Sequence, residues 1–160
     1  MNRADDHSQW LDWTWQYRNR ITRIDQLAGL LPLSEKEKQD ITACLGHFRM
    51  AITPYYASLI NPDDPADPIR RQAVPAIHET CVLPCEMADP LSEERDSPVQ
   101  HIVHRYPDRV LFLVTHQCAM YCRHCTRRRL VGEEDHVISE AAMEQALAYI
   151  RDRTQIRDVL

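Results

Sequence analysis

Glycine is scarce in this 160-residue chain, at three residues, and no stretch repeats or falls to low complexity. Long apolar runs are missing too. The longest, Val110 to Val114, is far too short to cross a bilayer. The opening MNRADDHSQWLDW has acidic residues and no apolar segment, so it does not read as a secretory signal, and the expected location is the cytoplasm. An excess of basic charge is also absent. Nineteen basic against 24 acidic residues give a net charge of −5, which argues against a whole-domain grip on nucleic acid. What remains is ordinary for a globular protein, with 44% hydrophobic and 27% charged residues, enough for one modest core.

Proline, by contrast, is common. Of ten prolines, nine fall between Pro54 and Pro107. Before them the chain reads as helical. Trp10, Trp13 and Tyr17 recur at helical spacing and are expected on a buried face. Thr22-Arg-Ile-Asp25 and Ser34-Glu-Lys-Glu37 fit the capping-box pattern. They predict helices over 23–31 and from 35 to about 50, the second with an apolar stripe of Ile41, Cys44, Leu45 and Phe48. The proline-rich middle, with INPDDPADPIR and ADPLSEERDSPV, predicts turns and loops around a short helix over 69–79 that breaks at Pro75. Residues 1–104 thus form a helical N-terminal arm with wrapping loops.

Residues 105–160 read differently. RVLFLV, 109–114, is a strand candidate whose unalternating apolar run suits burial on both faces. A helix capped by Ser139 follows, with Met143, Leu147 and Ile150 on one face, and Arg157 to Leu160 starts a second strand. Strand, loop, helix and strand make one βαβ unit. The fold class is therefore α/β. A parallel sheet needs more strands than these, so the chain is expected to be truncated and to expose an open sheet edge.

The loop after the first strand carries Cys118-x3-Cys122-x2-Cys125. Six cysteines would allow three disulfides, but cytosolic thiols stay reduced, and these three crowd one turn. Thiolates select zinc or iron–sulfur centres. Three leave a tetrahedral site one ligand short. His116 or His124 would complete a structural zinc site. A fourth cysteine would complete an ordinary cluster. Alternatively the open position is the purpose, as in catalytic metal sites. Placement after a strand favours that last option, because the carboxyl ends of strands carry the chemistry of α/β sheets and barrels.

The C-x3-C-x2-C spacing, with His124 before the last cysteine, resembles the radical S-adenosylmethionine superfamily. RYPDRVLFLVT and MYCRHCTRRR resemble more narrowly the lysine 2,3-aminomutase and glutamate 2,3-aminomutase family. So do WTWQYRNRI, FRMAITPYYASLINPDDPADPIRRQAVP and IRDVL, so that the likeness runs through most of the chain. It implies the start of a partial TIM-like (β/α) radical S-adenosylmethionine barrel behind the helical arm. It implies an enzyme that moves an amino group between C2 and C3 of an amino acid by a 5′-deoxyadenosyl radical mechanism. The cofactors implied are a 4Fe–4S cluster, S-adenosylmethionine and pyridoxal 5′-phosphate. On this resemblance Cys118, Cys122 and Cys125 hold the cluster, and His124 lies against the adenosyl group. Arg105, Tyr106 and Arg109 lie at pyridoxal phosphate, with Arg105 at its phosphate, and Arg127 binds the substrate carboxylate. The arginine fork suits both anions.

Family members are much longer, and their pyridoxal lysine lies beyond residue 160, so the chain alone is expected to be inactive. Its partners are expected to be a small amino acid and further copies of itself, with no nucleic acid and no membrane. His116 departs from the family, which carries Asn or Asp there. Cys81 and Cys85 also lie outside the pattern and are expected to be buried thiols. Two other functions stand beside this one. One is a zinc-binding interaction domain built on the three cysteines and a histidine. The other is a nucleic-acid binder using Arg123 to Arg129, which the acidic run Glu133-Glu134-Asp135 weakens.

Overall fold

A computed structural model describes residues 9–131 and 137–160. The acidic run at 133–135 lies outside the described residues. The chain forms two compact units. Met1–Cys85 joins Cys118–Arg128 in the first, and Glu86–Gln117 joins Arg129–Leu160 in the second. The cysteine loop thus packs with the N-terminal helices, and residue 104 falls inside a strand of the second unit.

In the first unit the helices are short and individually capped. α1, Trp13–Arg18, starts where Asp12 accepts a hydrogen bond from the Thr14 amide. Its buried residue is Gln16, not the expected Trp13, which is 77% exposed. Gln16 is satisfied there, donating to the Trp10 carbonyl at 2.9 Å and accepting from the Tyr55 amide at 2.8 Å. A buried amide with both ends paired joins two segments that an indole could not.

α2, Ile24–Ala28, begins one residue later than its sequence pattern suggests. The Gln26 side chain accepts from the Thr22 and Arg23 amides and sets the start there. α3, Glu35–Leu45, has the expected capping box. The Ser34 hydroxyl accepts from the Glu37 amide, and the Glu37 carboxylate accepts from the Ser34 amide. Replacing Ser34 by alanine is expected to cost about 1 kcal/mol, read as a lower urea midpoint; an unchanged midpoint would show that the cap contributes nothing. The helix stops at Gly46, short of the expected Met50.

Two prolines start helices instead of breaking them. Pro54 opens α4, Pro54–Ala57, behind a Thr53 cap, and Pro68 opens α5, Pro68–Ala73, behind Asp67. Proline suits the first helical turn because its missing N–H would be unpaired there anyway. After Pro75 a 3-10 turn spans Ile77–Thr80. The core of this unit is Ile21, Leu27, Leu31, Ile41, Met50, Ile52, Ile60, Ala73 and Val74.

The second unit holds a three-stranded sheet, ordered β1-β2-β3. β1, Ile102–Tyr106, and β2, Arg109–Phe112, form an antiparallel hairpin that turns at Pro107-Asp108. β1 has one extra residue between the Val103–Leu111 and Tyr106–Arg109 pairs, which makes a bulge at His104-Arg105. β1 escapes a sequence reading because only its first two residues are apolar. A four-residue helix, α6, covers Arg128–Val131. α7, Glu140–Arg151, then leads to β3, Asp158–Val159, which pairs parallel to β2. The expected βαβ connection is present, while an antiparallel strand flanks it. β2 is buried mainly at Val110, and Val114 is 49% exposed, so it is not a strand covered throughout.

Met143 and Leu147 do not carry the buried face of α7. Ala142 and Ala146 do, with Tyr149 and Ile150 packed on Ile102 and Val110. Alanines let a helix lie close against a sheet, where longer side chains would hold it off. What stands is a mixed helix and strand structure with a small sheet. Among the described residues no helix is long and apolar enough to cross a membrane.

Candidate functional site

The cysteine loop, 118–127, has no helix or strand of its own. Its shape comes from bonds to the N-terminal helical unit. The Cys118 carbonyl accepts from the Arg20 guanidinium. The Tyr121 amide donates to the Ala51 carbonyl at 3.1 Å, and the buried Tyr121 ring has Arg49 5.0 Å from its centre. The Arg123 amide donates to the Gln72 carbonyl at 2.9 Å. The Cys125 amide donates to the Cys122 carbonyl at 3.1 Å, which closes a tight turn.

Cys118, Cys122 and Cys125 form no disulfide and are all partly exposed. Three such thiols on one loop are suitable donor chemistry for a soft metal or cluster. As they stand they are not gathered: among the described residues no three His, Cys, Asp or Glu side chains converge to hold a metal ion. His124 is exposed beside them, and Arg127 is partly buried on the same loop. Cys81 and Cys85, expected to be buried, are exposed. Cys44 is the buried thiol. Its burial, with Glu79 nearby, pushes its pKa up, so it keeps its proton where an ordinary cysteine would lose it.

The other candidate residues lie in the second unit. Arg105 stands on the β1 bulge, where its Nε donates to Asp96 at 2.7 Å and its Nη2 to the Leu91 carbonyl. That bond, and a second from Arg95, hold the Asp96 carboxyl below its ordinary pKa. Arg109 pairs with Asp108 at 3.0 Å and lies 5.7 Å from the centre of the Tyr106 ring. Tyr106 is 58% exposed, so its ring is not packed into the sheet. The hairpin therefore pairs Tyr106 with Arg109 and carries Arg105 on its bulge, while the three cysteines, His124 and Arg127 share one loop without the thiols converging. The His101 and His116 rings lie 5.7 Å apart, tilted by 41°, in the second unit.

Arg123, Arg128 and Arg129 of the basic run face acidic groups of the chain itself. Arg123 is bound to Glu79, and Arg128 lies 3.6 Å from the same carboxylate with its guanidinium 4.5 Å over the Phe48 ring. In the second unit Arg129 pairs with Asp89 at 3.2 Å and approaches Glu93 and Glu94. Arg123 and Arg129 are thereby largely buried against carboxylates, while Arg128 is 36% exposed. Glu79 is the site residue that sequence reading misses. It stands alone in its segment, and its partner lies 44 residues away.

No family model matches the chain. Curated proteins do. The lysine 2,3-aminomutase of Clostridium subterminale is 49% identical over 153 residues, covering 96% of this chain and 37% of that protein. The lysine 2,3-aminomutase of Acetoanaerobium sticklandii is 50% identical over 151 residues, 94% of this chain and 36% of that protein. The glutamate 2,3-aminomutase of Clostridioides difficile is 45% identical over 151 residues, with the same coverage of 94% and 36%. The chain is thus a homologue, over nearly its whole length, of the lysine and glutamate 2,3-aminomutase family, and it spans little more than a third of those relatives' length.

Proposed function

We propose that this chain is part of an amino acid 2,3-aminomutase, acting on lysine, glutamate or a similar substrate in the cytoplasm as a homo-oligomer. The observation that carries the proposal is the identity of 45–50% to proteins named for that activity, across almost every residue present here. Three partly exposed cysteines on the loop, none in a disulfide, agree with it. Cys118, Cys122 and Cys125 would bind three irons of a 4Fe–4S cluster as thiolates and leave the fourth iron open. Together with S-adenosylmethionine and pyridoxal phosphate, such a cluster would supply the radical chemistry of the amino transfer.

The chain's own residues bind and orient. Arg127 grips the substrate carboxylate, and the arginine fork fixes its angle as well as its place. His124 lies beside the adenosyl group. Arg105 takes the cofactor phosphate, with Tyr106 and Arg109 next to it. That role requires Arg105 to exchange Asp96 for phosphate. Asp96, whose side chain is 15% exposed, keeps its second partner, Arg95, when Arg105 turns to phosphate.

The test is anaerobic reconstitution with iron and sulfide, then electron paramagnetic resonance of the reduced protein. A four-iron signal that changes on adding S-adenosylmethionine is the expected result. A colourless protein that binds one zinc instead would replace this function by a structural zinc site.

A further inference from the structure

Arg123 lies between two of the candidate ligands, Cys122 and Cys125, yet its side chain turns inward and is only 8% exposed. Its Nε donates to both Glu79 oxygens at 3.0 and 3.1 Å, and its Nη2 to one of them at 2.6 Å. Its Nη1 donates to the Arg49 carbonyl at 2.8 Å. The backbone of the same residue is held on both sides. Its amide donates to Gln72, and its carbonyl accepts from Arg128 Nη2 at 2.7 Å. Glu79 is itself fixed, since its Oε1 accepts from the Ala76 amide at 2.9 Å at the start of the 3-10 turn. Its side chain is 13% exposed.

A loop without helix or strand bonds keeps its shape only through such anchors. Here one residue, Arg123, supplies several of them, and it sits within the thiol triplet. We infer that Glu79 is a positioning residue: through its bidentate pair with Arg123 it holds the Cys122–Cys125 turn in place for ligand binding. What the turn ligates rests on the function proposed above; the clamp itself does not. A pair that only stabilised the fold would leave the local mobility of this turn unchanged.

The test uses the cluster-free chain, iodoacetamide, and mass spectrometry resolving each cysteine, with exposed Cys85 as internal reference. Glu79→Gln and Arg123→Gln both break the clamp, but they change the local charge in opposite directions. Thiolate, the reactive form, is favoured by losing Glu79 and disfavoured by losing Arg123. Loosening predicts that labelling of Cys122 and Cys125 relative to Cys85 rises severalfold in both variants. Far-UV circular dichroism and thermal melting confirm that each variant is folded. Should either glutamine variant fail to fold, Arg123→Lys, which keeps the charge but loses the fork, is read for the same rise.

Unchanged ratios, or ratios that move in opposite directions with charge, would overturn the clamp. Iron and acid-labile sulfide after anaerobic reconstitution form the second readout, and both fall in the variants if the clamp serves ligand binding. Wild-type protein that takes up no iron, with labelling still raised in the variants, leaves the clamp standing and removes the cluster. Wild-type protein that loads iron, with variants labelled like wild type, removes the clamp and leaves the cluster.

Discussion

Replacing any one of Cys118, Cys122 or Cys125 by alanine is expected to abolish the visible absorbance and acid-labile sulfide of the anaerobically reconstituted protein. Cys85→Ala is expected to leave both at the wild-type level. The effect is all-or-none because the proposed site has three protein ligands and none in reserve. The remaining cysteines do not substitute for them. Cys44 is fully buried, and burial keeps its thiol protonated, whereas the ligating form is the thiolate. Cys81 and Cys85 are exposed on a segment separate from the loop. Full cluster content in Cys122→Ala would show that the metal is held elsewhere. A parallel loss in Cys85→Ala would extend the ligand set to the 81–85 segment.

A second large effect concerns the fold under the loop. Leu27→Ala is expected to destabilise the chain by roughly 2–5 kcal/mol, a large fraction of the roughly 5–15 kcal/mol that holds a domain together. Leu27 has no solvent exposure and sits in the core with Ile21, Leu31, Ile41 and Ile52. Truncating it removes the transfer energy of the lost carbons and leaves a cavity besides. Leu30, three residues on, is 56% exposed, and Leu30→Ala is expected to shift stability by no more than about 0.5 kcal/mol. Urea titration reads both as midpoints at unchanged slope. Equal midpoints for the two variants would mean that this helix does not pack as described.

Leu27 and Leu30 also mark where local pattern stops being informative. Both are leucines in one apolar segment, and only the packing of α2 decides which is buried. The same division recurs along the chain. The Ser34–Glu37 capping box is complete within four residues, so its hydrogen bonds follow from spacing alone. The helix behind Ser139 and the parallel pairing of β2 with β3 were legible for the same reason, through a cap, an apolar run and a connection of suitable length. Trp13 and Gln16 reversed their expected places because Gln16 finds a partner in Tyr55, 39 residues away. β1 is a strand because β2 lies beside it. Ala142 and Ala146 are buried because a close sheet accepts small side chains.

The candidate site divides the same way. The three cysteines, His124, and the arginines at 105, 109 and 127 were named from sequence, because ligand spacing and family likeness are local properties of the chain. Glu79, the exposure of Cys81 and Cys85, and the inward turn of Arg123 were decided only by tertiary structure. By itself the sequence determined which residues can do chemistry, since that depends on side-chain type and spacing. Only the folded chain decided which of them are held, paired or exposed, since those are set by partners brought together across tens of residues.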